Sequence, residues 1–295
     1  MTDHFNIWIT GSSGFLGKRL VQHLSAEGHR VLGLSRRKTD DSSVVIDLAS
    51  GQAVKTLSRL VTEIGTPDVL IHAASRQPGA TGELSDFVSS NTKTTLNLID
   101  GLSKSLPQKI IYTSTHSVYS KPNSLPVSES AAAGGALPYG ATKRWSEEVL
   151  MTVRSAQITI LRLPSLYGVG QDDSFVDGLA RLALRNDPIE LFAQGQLIRD
   201  VLHVSDAVAA ISLCVTSSLP ASTIMNIGCG VPAKTIDYAE ALVEALESES
   251  QIIPVEQPAK QFDFFADITE ANRTINFRPT PLNESMRRYA HELRT

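Results

Sequence analysis

Thr10-Gly11-Ser12-Ser13-Gly14-Phe15-Leu16-Gly17 decides how the rest of the chain is read. The apolar run 5–10 that leads into it reads as a buried strand. Behind it, Leu16, Leu20, Val21 and Leu24 recur at helical spacing. Strand, glycine turn and helix are the context of a dinucleotide fingerprint. Gly11 lets the chain turn tightly, Gly14 lets backbone approach a pyrophosphate, and Gly17 lets the helix pack on the strand. The stretch around Ser13, Phe15 and Leu16 then presents the unpaired N–H groups of a helix N-terminus to phosphate oxygens. The spacing is Gly-x-x-Gly-x-x-Gly rather than Gly-x-Gly-x-x-Gly. An ordinary glycine-rich turn is the other reading of these residues by themselves.

Working outward, strands are expected at 30–35, 44–46, 69–72, 109–114 and 158–163. Helices are expected at 52–64, 84–102 and 139–155. This β-α-β alternation predicts an α/β fold, a Rossmann-like doubly wound parallel sheet. The boundary falls at 164/165. Residues 1–164 form a dinucleotide-binding domain, and 165–295 a smaller C-terminal region that mainly binds substrate and returns some segments to the first domain. In that second part, helices are expected at 175–185, 204–215, 235–246 and 283–292, a strand at 223–227, and short β pieces at 189–192 and 252–255. The Pro-, Ala-, Gly- and Ser-rich stretch 120–138 interrupts the rhythm and reads as a cover over the active site.

Composition narrows the partners. The chain has 295 residues, 42% hydrophobic and 20% charged, with a net charge of -4. It is globular, and no basic field larger than Arg36-Arg37-Lys38 exists to recruit nucleic acid. The two cysteines, Cys214 and Cys229, offer neither metal-ligand spacing nor a disulfide framework. The start lacks the pattern of a signal peptide, and no apolar run approaches the roughly 20 residues of a membrane span. A soluble cytoplasmic protein is expected, with no membrane and no nucleic acid among its partners.

The chemistry concentrates in Tyr139-Gly140-Ala141-Thr142-Lys143. Tyr and Lys four apart on a helix share one face. A tyrosine titrates near pH 10, and a neighbouring positive charge brings its phenol closer to neutrality. A surface Tyr and Lys on an amphipathic helix is the plain alternative.

Thr10–Gly17, Asp47-Leu48, His72-Ala73-Ala74, Asn91, Tyr112–Tyr119, Tyr139–Lys143, Arg162–Gly168, Arg199–Asp206 and Asn226-Ile227-Gly228 follow one another in a familiar order. In this the chain resembles the extended short-chain dehydrogenase/reductases, the sugar-nucleotide epimerase/dehydratase group. The resemblance spans nearly the whole chain. It implies a Rossmann fold, a bound nicotinamide dinucleotide and hydride chemistry at a carbinol or carbonyl.

By that resemblance Tyr139 exchanges a proton with the reacting oxygen. Lys143 lowers its pKa and holds the nicotinamide ribose, and Thr115 orients the oxygen, with Ser114 as runner-up. His116 and Ser117 stand where the 4,6-dehydratases carry Asp-Glu, so a dehydratase is disfavoured; His116 is a candidate substrate contact. Asp47 and Leu48 should meet the adenine, Ala73, Ala74 and Ser75 should line the cofactor's path, and Asn91 should face it. Leu163 and Ser165 should lie at the nicotinamide end, Ser165 toward substrate, where many relatives have Asn. Arg199 should meet a substrate diphosphate. The second strand ends in Ser35-Arg36-Arg37 without an acid, which favours NADP over NAD, because Arg suits a 2′-phosphate. The expected activity is an NADP(H)-dependent oxidoreductase acting on a nucleotide sugar, of the 4-keto-sugar reductase type. The alternatives are an epimerase that retains its NAD(P), a reductase of a non-nucleotide carbonyl, and a dinucleotide sensor without activity. A homodimer through the helix 84–102 and the Tyr139 helix is common in that family, with Leu84, Phe87, Leu98, Trp145 and Val149 either supplying its face or facing the sheet.

Overall fold

The computed structural model describes residues 4–40, 43–77, 83–134, 138–172, 174–259 and 261–295. The first three residues of the chain's start, and 135–137 of the expected cover, lie outside them. In chain order the first elements are β1 (Asn6–Thr10), α1 (Phe15–Ala26), β2 (Arg30–Ser35), β3 (Ser43–Val45), α2 (Ala53–Ile64) and β4 (Val69–His72). Next come α3 (Leu84–Phe87), a π-helical turn (Val88–Lys93), α4 (Thr94–Leu102), β5 (Lys109–Thr115), a 3-10 turn (His116–Val118), α5 (Pro138–Met151) and β6 (Gln157–Leu163). Then follow β7 (Ser165–Tyr167), α6 (Phe175–Ala183), β8 (Ile189–Leu191), β9 (Val201–His203), α7 (Val204–Thr216) and β10 (Ser222–Asn226). The last are α8 (Thr235–Leu246), β11 (Ile252–Pro254), α9 (Thr269–Ile275) and α10 (Leu282–Arg294).

The chain divides into two compact units. One holds Met1–Ser120, Ala132–Arg162 and Val208–Met225; the other holds Lys121–Ala131, Leu163–Ala207 and Asn226–Thr295. The first is built on a seven-stranded parallel sheet in the order β10-β6-β5-β4-β1-β2-β3. Its central strands are apolar without alternation, as a sheet covered on both faces requires: Ile7, Trp8 and Ile9 in β1 and all of Val69–His72 in β4 are buried. Register is tight, with Ile9 opposite Gly33 on one side and Ile71 on the other. The order reverses between β1 and β4. That is the switch point at which open α/β sheets take ligands.

Helices fill the faces by amphipathic stripes. In α2, Ala53, Leu57 and Leu60 point inward, and Gly65 stops the helix at φ +86°. Gly101 lets α4 close on α2, since a Cβ there would lie 2.7 Å from Leu57. The helix expected over 84–102 is continuous but widens into the π-helical turn. Its cause is a surplus of donors on one carbonyl: Thr94 Oγ1 (2.9 Å), Thr95 Oγ1 (3.0 Å) and Ser146 Oγ (3.4 Å) all reach Asn91 O. Hydroxyls that bond back in this way compete with the i→i+4 ladder.

The second unit has its own core, in which Tyr167, Leu179, Ile189, Tyr238, Leu242, Met286 and Tyr289 are buried together. Two parallel pairs, β7 with β9 and β8 with β11, frame it. The expectations at 189–192 and 252–255 correspond to β8 and β11, whereas β7, β9 and α9 have no counterpart in the sequence reading. Residues 121–131 of the expected cover belong to this unit. Among the described residues no helix is long and apolar enough to cross a membrane.

Candidate active site

The glycine turn lies at the end of β1, beside the switch point. Gly11 adopts φ +72°, and a Cβ on it would stand 2.9 Å from the backbone of Ala74. The turn and the loop after β4 therefore meet backbone to backbone, which only glycine permits. A Cβ on Gly17 would come within 2.1 Å of Gly11 O, so α1 is seated directly on the turn. Gly14 is the N-cap residue of α1. No side chain caps this helix and no acid occupies its first turn. Ser13, Phe15 and Leu16 around it are half-buried. An uncapped helix N-terminus at the switch point fits a pyrophosphate.

The loop after β4 is held by a buried relay. Ala73 N and Ala74 N both donate to Thr10 Oγ1 at 3.1 Å. That oxygen's own proton is then directed to His72 Nδ1, 2.8 Å away. The tautomer follows: His72 carries its proton on Nε2, which donates to Thr95 Oγ1 at 3.0 Å, and Thr95 passes its own to Asn91 O. Burial, with the nearby Lys143 ammonium, pushes the His72 pKa down to about 3.

Tyr139 lies in the first turn of α5, 7% exposed, with Thr115 at the end of β5. The side chains of Ser75, Thr115 and Gln77 stand around its phenol. Tyr139, Thr115 and Ser75 thus lie together; Gln77 beside them was not foreseen. The expected effect of Lys143 on the phenol is corrected. Burial raises the Tyr139 pKa, the polar side chains of Ser75, Thr115 and Gln77 oppose the rise, and Lys143 is not among the opposing groups. Its ammonium instead donates to Thr113 O at 2.5 Å and stands 4.1 Å from the centre of the Tyr112 ring. Burial brings the Lys143 pKa from 10.5 down to about 7, against the attraction of Glu147.

Several other expectations are corrected by what the side chains touch. Ser114 is engaged within the protein: its hydroxyl donates to the buried Glu147 carboxylate. Successive strand residues point to opposite faces, so Thr115 takes the site and Ser114 the interior. Asn91 is 2% exposed, and its amide is spent on protein: Oδ1 accepts from Arg76 N at 2.7 Å and Nδ2 donates to Thr142 Oγ1 at 3.1 Å. It ties the loop after β4 to α5 rather than facing a cofactor. Leu48 packs in the core of the sheet. Arg162 is buried against Glu147 and Tyr119. Phe87 and Leu98 are buried, which leaves Leu84 (58% exposed), Trp145 (44%) and the half-buried Val149 of the named face.

Arg36 and Arg37 are exposed after β2, and neither guanidinium meets a carboxylate among the described residues. The Arg37 carbonyl is held by Ser35 Oγ at 2.5 Å. Asp47 is exposed, with Oδ1 accepting from Ala49 N at 3.0 Å. His116 is half-buried, its ring 6.4 Å from that of Tyr119. In the second unit, Leu163 is buried and Ser165 exposed. Arg199 is half-buried; its guanidinium stands 5.9 Å from the centre of the Phe175 ring and has no carboxylate partner among the described residues. Burial lowers its pKa. A semi-buried cation without a counter-ion suits an anionic ligand.

The chain is similar to known proteins. Residues 7–228 match the family model described as NAD dependent epimerase/dehydratase family. Protein CapI of Staphylococcus aureus is 26% identical, over 92% of this chain and 93% of its own length. UDP-glucuronate 4-epimerase of Thermodesulfobacterium geofontis is 26% identical, over 92% of this chain and 90% of its own. The solved structure of MoeE5 in complex with UDP-glucuronic acid and NAD aligns with a TM-score of 0.83 at 25% identity, covering 98% of this chain and 99% of that one.

Proposed function

Because the chain belongs to the NAD dependent epimerase/dehydratase family, we propose that it is an epimerase of nucleotide-linked sugars that keeps its dinucleotide bound. UDP-sugars are the first substrates to try. The observation that carries the reading is the buried Tyr139 phenol, with the Thr115 and Ser75 side chains beside it at the carboxyl ends of the parallel strands. Its relatives support it: one is named a UDP-glucuronate 4-epimerase, and MoeE5 was solved with UDP-glucuronic acid and NAD.

The turn at Gly11–Gly14 and the N-terminus of α1 would hold the pyrophosphate, and the Ala73–Ser75 loop would line the cofactor's path. A bound nicotinamide supplies the acceptor and donor of a hydride. Tyr139 takes the proton of the sugar hydroxyl as the carbon is oxidised and returns it once the opposite face is presented. Thr115 holds the reacting oxygen beside the phenol. Burial keeps water from competing for that proton. Lys143, as a cation, would hold the nicotinamide ribose, the role that the family resemblance gives it. Arg199 receives the diphosphate. His116 and Ser117 supply no carboxylate for water loss, so the sugar leaves with its hydroxyls intact.

One observation favours a second reading. Arg36 and Arg37 follow β2 with no acid beside them, the pattern that suits NADP(H) and net reduction of a keto sugar. The two readings part in one experiment. Dinucleotide released from the purified protein is identified by mass spectrometry, and UDP-glucose, UDP-glucuronate and UDP-N-acetylglucosamine are followed by NMR and at 340 nm. Retained dinucleotide with epimer formation and no net absorbance change supports the epimerase. Stoichiometric loss of free NADPH absorbance with a keto-sugar nucleotide supports the reductase. No turnover of any nucleotide sugar defeats both. The exposed Leu84, Val88, Leu96 and Trp145 are proposed as a homodimer face, checked by sedimentation of Trp145→Glu against the parent chain.

A further inference from the structure

A cluster of buried charge lies among the elements that carry the candidate site. Glu147 lies on α5 one turn beyond Lys143 and is 0% exposed. Arg162 of β6 grips its carboxylate as a fork, Nε to Oε1 at 3.1 Å and NH2 to Oε2 at 2.8 Å. Ser114 Oγ donates to Oε1, and Arg144 NH1 reaches Oε2 at 2.9 Å. Arg162 NH1 also donates to Tyr119 Oη at 2.9 Å. The cluster joins the end of β5, the residue that closes the following turn, α5 and β6.

Stability alone does not account for this. Desolvating a buried ion pair costs about as much as the pair returns, and apolar residues of similar volume often serve a fold as well. What apolar residues lack is a fixed negative charge near a buried ammonium. Among the described residues the direct partners of Lys143 are a carbonyl and an aromatic ring, and the His72 ring of β4 feels its charge as well. Glu147, one helical turn away, is the carboxylate whose charge opposes its burial.

Within the epimerase reading, on which this rests, we propose that Glu147 is a positioning residue: its carboxylate ties the Thr115 end of β5 to the helix bearing Tyr139 and Lys143, and supplies the counter-charge of the Lys143 ammonium. Two substitutions separate the two tasks. Glu147→Gln keeps the shape and removes the charge. Ser114→Ala keeps the charge and removes the tie.

Two readouts are taken: the pH profile of kcat with UDP-glucose, and the pH dependence of thermal unfolding without substrate. In Glu147→Gln, the alkaline fall of kcat and the pH at which the unfolding midpoint begins to rise both move down by about one unit. In a Lys143→Met background, Glu147→Gln no longer alters the pH dependence of unfolding. Ser114→Ala lowers kcat roughly tenfold with KM and both pH positions unchanged. A midpoint lowered equally at every pH, with both positions in place, would overturn the proposal. If Glu147→Gln does not fold, Glu147→Gln with Arg162→Met removes both buried charges and must still show the shift. Failure of the unsubstituted chain to epimerise counts against the function; the unfolding series needs no substrate and still decides for or against Glu147.

Discussion

Replacing Lys143 with methionine should stabilise the fold at pH 6 while removing the activity. The side chain is 1% exposed, and burial brings its pKa from 10.5 to about 7 despite the attraction of Glu147. At 1.36 kcal/mol per unit, this fall amounts to about 5 kcal/mol. The sign follows from counting protons. Between pH 7 and 10.5 the unfolded chain holds a proton on this lysine that the folded chain has released, so stability climbs with pH across that window. Below pH 7 both states are protonated, and the full cost of burying the ammonium is present. Methionine follows the same unbranched path without charge. It forfeits the bond to Thr113 O, a loss of about 1 kcal/mol. The net gain is about 4 kcal/mol at pH 6 and becomes a loss of about 1 kcal/mol at pH 10.5. At roughly 2 °C per kcal/mol for a chain of this size, the unfolding midpoint at pH 6 should rise by about 8 °C. Scanning fluorimetry of both proteins at pH 6 and pH 10 measures it. A variant no more stable than its parent at pH 6, or one whose advantage is equal at both values, refutes the assignment of this cost to the ammonium.

Three further substitutions test the rest of the site. Tyr139→Phe should lower kcat by roughly 10²–10⁴-fold while the released dinucleotide, quantified by mass spectrometry, stays at the parent level; undiminished turnover would remove Tyr139 from the proton path. Arg199→Met should raise KM for a UDP-sugar about tenfold or more with a smaller change in kcat, and an unchanged KM would show that the diphosphate goes elsewhere. Gly17→Ala places a methyl group 2.1 Å from Gly11 O, so the turn must shift. It should cost roughly 1–3 kcal/mol in denaturant unfolding and lower the dinucleotide content; full content at parent stability would mean the turn is not rigid.

What could be read ahead of the structure was what depends on neighbours in sequence. The run from β1 through the glycine turn into α1 declares itself, because turn, cap and stripe all lie within twenty residues. The Tyr139/Lys143 face is equally local. The misreadings have a common origin in contacts between residues far apart. Ser114 and Thr115 differ by one strand position, and only Glu147, thirty-three residues on, reveals which of them faces inward. The π-helical turn needs a hydroxyl from Ser146 on the Asn91 carbonyl, which no window over 84–102 contains. Glu147 itself left a faint trace, an acid spaced four from Lys143 on a helix face that is otherwise inward. Arg162 left another, a charge ending an apolar strand. The three-residue strands β7 and β9 are too short to show any period.

The relay through His72 sets an acid limit on handling this molecule. Both lone pairs of Thr10 Oγ1 are occupied by Ala73 N and Ala74 N, so a second ring proton would find only another donor. From pH 6.5 down to about 3 the unfolded chain accepts a proton that the folded one refuses, and stability drains away across that interval. A column eluted at pH 4 should loosen the seam between the ends of β1 and β4 first, shedding any retained nucleotide before the rest of the protein gives way.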